Sequence, residues 1–408
     1  MPVTKETLES YRQFYHDQLM GDCVPFWMRS DLIDRKHGGY ITSVDREGRS
    51  YNNDKSVWFQ GRCLCTFSAL INRYGPREDW LEAARAGKEF LEKYCTDTDG
   101  RMFFTVTSEG KPLRKRRYMY SESFYVMSMA EYGLATGDTA ALRKAEERYE
   151  LMLKLFRTPE EDPFKITPKS YAETRSDRAC AVPMVLVSCA QLLRRCDPAK
   201  AEYYTKVVRE VVDVIMRYHY KPEYRCVLEC VGTDGGKIDT PAGRCINPGH
   251  SIENSWFLMN EAIYSNDKAL LEKALNILNW SLEIGWDKEF GGILYFADVD
   301  GRPCEQLEWD MKLWWVHNEA LIATLMAYGL TRDEKYFRWF ERLHVYSFGH
   351  FADKEHGEWY GYLHRDGTVS HTQKGSLWKG PFHLPRCLMN CEALLQRLAE
   401  GKELTPIL

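Results

Sequence analysis

The 408-residue sequence contains no run approaching the ~18 apolar residues that a membrane span requires. Its amino-terminal stretch, MPVTKETLESYRQFYHDQL, lacks the apolar centre of a secretory signal. These absences set the expectation of a cytoplasmic protein without a membrane partner. Strong charge imbalance is missing as well: the net charge is -4. The longest basic cluster, Arg114, Lys115, Arg116 and Arg117, reads as a solvated loop, and no electrostatic footprint for nucleic acid is present. There is no Walker loop, no GxGxxG fingerprint and no HExxH motif. Thirteen cysteines are plentiful, but their spacing argues against zinc. Cys63 and Cys65 lie two apart in a helical pattern and face different ways, while Cys226/Cys230 and Cys387/Cys391 lack a partner pair. They read as buried thiols, small hydrophobes kept reduced. Chemistry is therefore expected from side chains, with no metal and no required cofactor.

What the chain does have is core-forming and aromatic material: 44% hydrophobic residues, including 24 Tyr, 18 Phe and 12 Trp. Flat rings pack against sugar C–H surfaces and also fill cores, so composition leaves both uses open.

A repeat organises the chain. GGYITSVDREGR from Gly38, DGRMFFTVTSEG from Asp99, FGGILYFADVDGR from Phe290 and GEWYGYLHRDG from Gly357 share one form, a short alternating run closed by an Asp-Gly or Glu-Gly turn. A degenerate version, YKPEYRCVLECVGTDGG, starts at Tyr220, and a sixth slot near Asp162 has lost the pattern. The markers recur every 60 to 67 residues, with room for about two helices between them. DWLEAARAGKEFLEKY from Asp79 shows the helical period. Six units of helix, helix and hairpin predict an all-α toroid, an (α/α)6 barrel with short β-hairpin loops at one end, formed as a single domain over residues 1–408. An open α-solenoid is the competing architecture, but no polar capping repeat is evident.

Three segments set polar groups among bulky aromatics at helix starts. In NPGHSIENSWFLM, residues 247–259, His250 and Glu253 are three apart and share a face. A capping histidine with a first-turn glutamate explains that pattern as well as a catalytic pair does. In MKLWWVHNEALIAT, residues 311–324, Glu319 lies inside an apolar aromatic helix, where a carboxylate needs a partner. In SLWKGPFHLPRCLMNCEALL, residues 376–395, Gly-Pro and Leu-Pro steps shape the backbone around His383. KSVWFQGRCLCTFSAL places Arg62 beside Trp58, where it can bind a sugar oxygen or an enediolate, or pair with a core carboxylate. Trp58, Glu122, Trp315, His317, Trp378 and Phe382 complete the candidates for substrate contact.

On DKSVWFQGR, NPGHSIENSWFL, KLWWVHNEA and KGPFHLPR, in that order, the chain resembles the N-acylglucosamine 2-epimerase family, known also through the renin-binding protein. The resemblance covers essentially the whole chain and implies an (α/α)6 barrel. It also implies that Arg62, His250, Glu253, Glu319 and His383 form the catalytic cluster. Three activities occur in the family: interconversion of N-acetylglucosamine and N-acetylmannosamine, epimerisation of cellobiose-type disaccharides, and mannose isomerisation or epimerisation. By the same resemblance, histidine rather than glutamine at His317 points to the N-acetyl branch and so to sialic acid metabolism. ATP as an activator and a homodimer are further expectations of that branch.

The chemistry implied is proton transfer at C2 of the open-chain sugar, with His383 as principal base, His250 as its counterpart and Arg62 on the developing oxyanion. Glu319 and Glu253 would orient the rings. Two rivals stand beside it: a glycoside hydrolase built on Glu253 and Glu319, and a protein-binding module without catalysis.

Overall fold

The computed structural model describes residues 3–115, 119–158, 174 and 176–407. The sixth repeat slot near Asp162, along with Arg116 and Arg117 of the basic cluster, lies outside the described residues. Lys115 is described, and it is not free in solvent: its ammonium pairs with Asp97 and Asp99.

Helices account for most of the described chain. In order they are α1 (Lys5–Asp17), α2 (Val24–Arg29), α3 (Val57–Tyr74), α4 (Glu78–Tyr94), α5 (Tyr120–Thr136), α6 (Thr139–Arg157), α7 (Ala181–Cys196), α8 (Ala201–Val214), α9 (Pro241–Arg244), α10 (Pro248–Ser265), α11 (Lys268–Gly285), α12 (Trp314–Thr331), α13 (Glu334–His350) and α14 (His383–Ala399). Burial separates them into two rings. In α12 every residue from Val316 to Tyr328 is buried, so that helix is apolar on all sides and belongs to an interior. In α13 only Tyr336, Phe337, Phe340, Leu343, Tyr346 and Ser347 are buried, which is one stripe of a surface helix. The inner ring is α3, α5, α7, α10, α12 and α14. Each inner helix packs against one outer helix: α4, α6, α8, α11, α13 and, for α14, the amino-terminal α1. Thr66 Oγ1 donates to the Pro381 carbonyl at 2.5 Å, and Tyr74 of α3 donates to Glu392 of α14, which closes the ring. The architecture is the expected (α/α)6 barrel.

The two ends of the barrel are built differently. At one end inner helices pass to outer helices through tight turns: Gly137, Asn266 and Arg332 adopt left-handed backbone, each followed by an aspartate. Asp138, Asp267 and Asp333 then accept backbone N–H groups of the next helix, at 3.0, 2.9 and 2.9 Å. At the other end lie the hairpins. Their strands are two or three residues long, and some pair across repeats: Lys55–Ser56 pairs with Thr105–Val106, and Lys312–Leu313 with Tyr362–Leu363.

A second device recurs under these hairpins. Asp34, Asp287 and Asp353 each accept backbone N–H groups inside their own turns. Each also holds a fully buried lysine: Lys55 at 2.7 Å, Lys312 at 2.8 Å and Lys374 at 3.1 Å. Lys55 and Lys312 directly precede α3 and α12, so the ion pair fixes the entry of an inner helix. The glycine after the second turn has no substitute: Gly292 has φ of 73°, and an added Cβ would fall 2.5 Å from the Tyr346 ring. All inner helices point their first turns toward the hairpin end, and the candidate residues gather there.

Candidate active site

Each functional side chain is fixed by its local sequence. Asn247 caps α10, accepting from the His250 N–H at 3.1 Å, and Pro248 takes the first helical position. His250 therefore stands in the first turn. His383 opens α14 after a loop that the buried Lys379–Glu358 ion pair holds down. Gly380 lets this loop approach Phe59, where a Cβ would fall 2.5 Å from the ring. Arg62 lies at the second turn of α3, next to Gly61, whose missing side chain lets α3 rest on the backbone of Phe124 in α5.

The centre is a carboxylate network. Glu319, fully buried on α12, accepts through Oε1 from His383 Nδ1 at 2.8 Å and from Arg386 Nη2 at 2.7 Å. Its Oε2 accepts from Trp256 Nε1 at 2.8 Å. The same Arg386 nitrogen donates to Glu253 at 2.6 Å. Because a carboxylate faces Nδ1, the ring hydrogen of neutral His383 sits on Nδ1 and Nε2 keeps its lone pair. Burial, with Arg386 and then Arg62 nearby, holds the His383 pKa well below the ordinary histidine value. Glu319 does not reverse this, since Arg386 shares its charge.

His250 has the opposite tendency. Its Nδ1 faces both oxygens of Glu229, at 3.1 and 3.2 Å. Burial works against its charging, but the Glu229 carboxylate outweighs burial and the pKa is raised. Trp315 neighbours both histidines, with its ring 5.3 Å from His250 and 5.8 Å from His383.

Arg62 completes the arrangement. It lies over Phe124 at 4.3 Å, with Phe382 and Trp58 at 5.6 and 5.7 Å, and donates to the Trp378 carbonyl at 2.6 Å. No carboxylate among the described residues pairs with it. Burial, with the Arg386 charge, lowers its pKa to about 10, so it stays cationic at neutral pH. Trp58 and Trp378 meet edge to face with ring centroids 5.5 Å apart, and Trp378 is 43% exposed at the mouth. The structure thus brings together His250, Glu253, Glu319, His383, Arg62, Trp315, Trp58, Trp378 and Phe382.

Two expected residues fall outside. His317 is fully buried behind α12: Nδ1 donates to the Leu313 carbonyl at 2.8 Å, and Nε2 accepts from Ile293 N–H at 3.0 Å. With its ring stacked on Tyr346, burial holds it neutral, at a pKa of about 3. It sits two residues from Trp315 and so faces the other way. Glu122 likewise turns away from Phe124, its neighbour at the site, to accept from Arg101 at 2.8 Å and Met102 N–H at 3.0 Å. Neither contacts the cluster. Conversely, sequence reasoning passed over Glu229 and Arg386. Glu229 lies in the degenerate hairpin and carries no motif. Arg386 stood three residues after His383, a same-face spacing that marks it in retrospect.

Glu253, Glu319 and His383 have ligand atoms within 4.8 Å of one another, the one such group among the described residues. The Arg386 guanidinium already bridges its two carboxylates and supplies the cation that a metal would bring.

This geometry has relatives. Residues 39–384 match the model of the N-acylglucosamine 2-epimerase family. The N-acylglucosamine 2-epimerase of Mus musculus is 36% identical over 412 residues, covering 100% of this chain and 97% of its own. The chain belongs to the N-acylglucosamine 2-epimerase family. The human N-acylglucosamine 2-epimerase is likewise 36% identical, over 98% of this chain and 93% of its own. Among solved structures, cellobiose 2-epimerase from Bacillus thermoamylovorans superposes with a TM-score of 0.81 at 22% identity, covering 95% of this chain and 100% of that one. At that identity the likeness speaks to the family's barrel.

Proposed function

We propose that this chain interconverts N-acetylglucosamine and N-acetylmannosamine by moving a proton on and off C2 of the open-chain sugar. Family membership makes it an isomerase acting on carbohydrates. The observation that carries the mechanism is the pair of imidazoles that share Trp315 as a neighbour, one held neutral and one inclined to charge.

Inversion at carbon needs one group on each face. C2 carries an acidic proton only while the neighbouring aldehyde is open. Neutral His383, with its Nε2 lone pair, takes the C2 proton, and the electrons move onto the aldehyde oxygen. Arg62, a cation without a carboxylate partner among the described residues, stabilises that oxyanion. Protonated His250 then delivers a proton to the opposite face. Glu319 fixes the His383 tautomer, Glu229 supports the His250 cation, and Arg386 holds Glu319 and Glu253 in place. No step draws on a metal or cofactor.

The hydrolase alternative fits poorly with Arg386. A glycosidase needs one carboxylic acid that donates to the leaving oxygen. Both candidate carboxylates here accept from a single guanidinium nitrogen, and Glu319 also from His383 and Trp256, so the two do not stand free on opposite sides of a glycosidic bond.

The test is proton NMR in D2O with N-acetylmannosamine, mannose and cellobiose supplied separately. Conversion of N-acetylmannosamine with deuterium entering C2 is the expected result. Turnover of mannose or cellobiose alone would move the substrate to a sister activity, and no exchange on any sugar would sink the enzymatic mechanism. The proposal extends to a homodimer and to ATP acting on rate alone. Light scattering should give twice the 47.7 kDa chain mass, and added ATP should change turnover without being consumed.

A further inference from the structure

Three hairpins of this barrel carry one motif, and the third departs from it. DRKHGG (34–39) and DKEFGG (287–292) end in two glycines, whereas DKEHGE (353–358) ends in glutamate. The last position is left-handed in all three, with φ of 69° at Gly39, 73° at Gly292 and 59° at Glu358. In the first two copies a side chain has no room: an added Cβ would fall 2.6 Å from the Phe90 ring or 2.5 Å from that of Tyr346. In the third copy Asp22 faces the turn instead, accepting the Glu358 N–H at 2.9 Å. Glutamate in left-handed backbone is strained. Glu358 is also wholly buried, and its Oε1 has no hydrogen-bond partner among the described residues. A residue so unfavourable, where glycine folds the same turn twice elsewhere, calls for a task other than stability.

That task lies with its partner. KSVWFQGR, KLWWVHNE and KGPFHLPR each begin with a buried lysine. Three positions on stands an aromatic ring of the site, Trp58, Trp315 or Phe382; seven positions on stands a charged group of the site, Arg62, Glu319 or Arg386. Lys55 and Lys312 pair with the hairpin aspartates Asp34 and Asp287. In the third copy Lys374 takes Asp353, and Lys379 pairs with Glu358. The helix start moves with this change of partner. α3 begins at Val57 and α12 at Trp314, two positions past the lysine; α14 begins at His383, four past Lys379. The position four past the lysine is Phe59 in α3 and Val316 in α12, both buried in the core. In α14 it is the histidine that donates to Glu319.

We infer that Glu358 is a positioning residue for the proposed reaction: through Lys379 it holds residues 379–382 out of the helix and so sets His383 in the first turn of α14, facing the sugar. Phe382 marks the break, with a non-helical φ of −140° and its N–H donating to the Gly380 carbonyl at 2.8 Å. This assignment rests on the proposed function, in which His383 and His250 serve opposite faces of C2.

The experiment follows inversion and C2 deuterium entry separately, by proton NMR in D2O, starting from N-acetylmannosamine and from N-acetylglucosamine. Glu358→Gly restores the glycine of the other two copies and relieves the left-handed backbone. Inversion should fall by roughly 100-fold, as for a catalytic group misplaced by about 1 Å. His250 is untouched, so the epimer whose C2 hydrogen faces it should still give up that proton and take back a deuteron on the same face. Exchange without inversion, from one epimer only, is the expected signature. A general loss of structure would slow exchange from both epimers together. Glu358→Gly with Lys379→Met strands no buried ammonium and should show the same one-sided exchange. Equal loss from both epimers, near-wild-type inversion in a folded variant, or loss of fold in both variants by circular dichroism overturns the positioning role and leaves the proposed function standing. Wild-type protein that exchanges neither sugar overturns the proposed function, and the positioning role with it.

Discussion

At the scale of single residues, the two histidines are opposite cases of one rule. Burial penalises a charged imidazole in both. At His250 the neighbouring Glu229 carboxylate overrides the penalty; at His383 the carboxylate is shared with Arg386 and the penalty stands. A reactive site thus holds one proton on the pair. The expected kcat/KM profile is a bell. Its acid limb lies below the ordinary histidine value of ~6.5, where His383 gains a second proton for the pair; its alkaline limb lies above, where His250 loses the first. Both directions of reaction share these limits, since both begin from the singly protonated pair. Glu229→Gln removes the charge that raises His250, so the alkaline limb should move to lower pH while the acid limb holds; an unmoved alkaline limb would detach Glu229 from the mechanism. His383→Ala and His250→Ala should each cut turnover by ~10²–10⁴-fold, the usual worth of a positioned acid or base, with circular dichroism unchanged. Near-wild-type turnover in either variant would remove that histidine. These residues were legible because each polar group interrupts an aromatic run at a helix start. His317 and Glu122 were misplaced by that same proximity: each is two positions from an inward ring, about 200° around the helix. Glu229 was illegible because its partner stands 21 residues away, across a hairpin whose own pattern has decayed.

At the scale of elements, the buried lysines explain why hairpins accompany a helical barrel. Lys312 and Asp287 are almost wholly removed from water, and Lys312 also donates to the Arg365 carbonyl at 3.0 Å. The pair joins three separate segments directly ahead of α12, the helix that carries Trp315 and Glu319. Breaking a buried pair from one side strands the other charge, at a cost of roughly 3–5 kcal/mol. Lys312→Met should therefore lower the urea midpoint sharply, and Lys312→Met with Asp287→Leu should recover much of the loss; a single variant as stable as wild type would show the pair to be dispensable. The hairpins themselves were readable from alternating residues and Asp-Gly turns. Their pairing was not, because strands of two residues form only where neighbouring repeats bring them together. The buried lysines escaped notice since lysine before a helix ordinarily marks a solvated position.

At the scale of the whole molecule, the sixfold spacing was legible because four of the six slots keep their turn chemistry even as their core residues diverge. The inner and outer rings follow from the same text: α12 is apolar all round, α13 on one stripe only. What spacing does not reveal is how the barrel is sealed at the end away from the site. There the carboxyl-terminal residues cross the inner helices. Ile407 N–H donates to Asn260 Oδ1 at 2.9 Å, and the Asn260 side-chain N–H donates back to the Ile407 carbonyl. Leu404 fills the space over Gly329, where a Cβ would fall 2.4 Å from it. The tail thus ties α10 to α12, the helices that bear His250 and Glu319. Leu404 and Ile407 are both buried, and each large aliphatic side chain is worth about 1.5–3 kcal/mol on burial. Truncation after Glu403 should therefore cost several kcal/mol and leave the Asn260 amide without its partners, lowering the thermal midpoint measurably. Turnover well below the new midpoint should stay near wild type, because the proposed catalytic network is anchored at the hairpin end. A truncated protein that melts normally would show the seal to be ornamental, and one that melts lower but is inactive even when folded would mean that the two ends of the barrel are mechanically coupled.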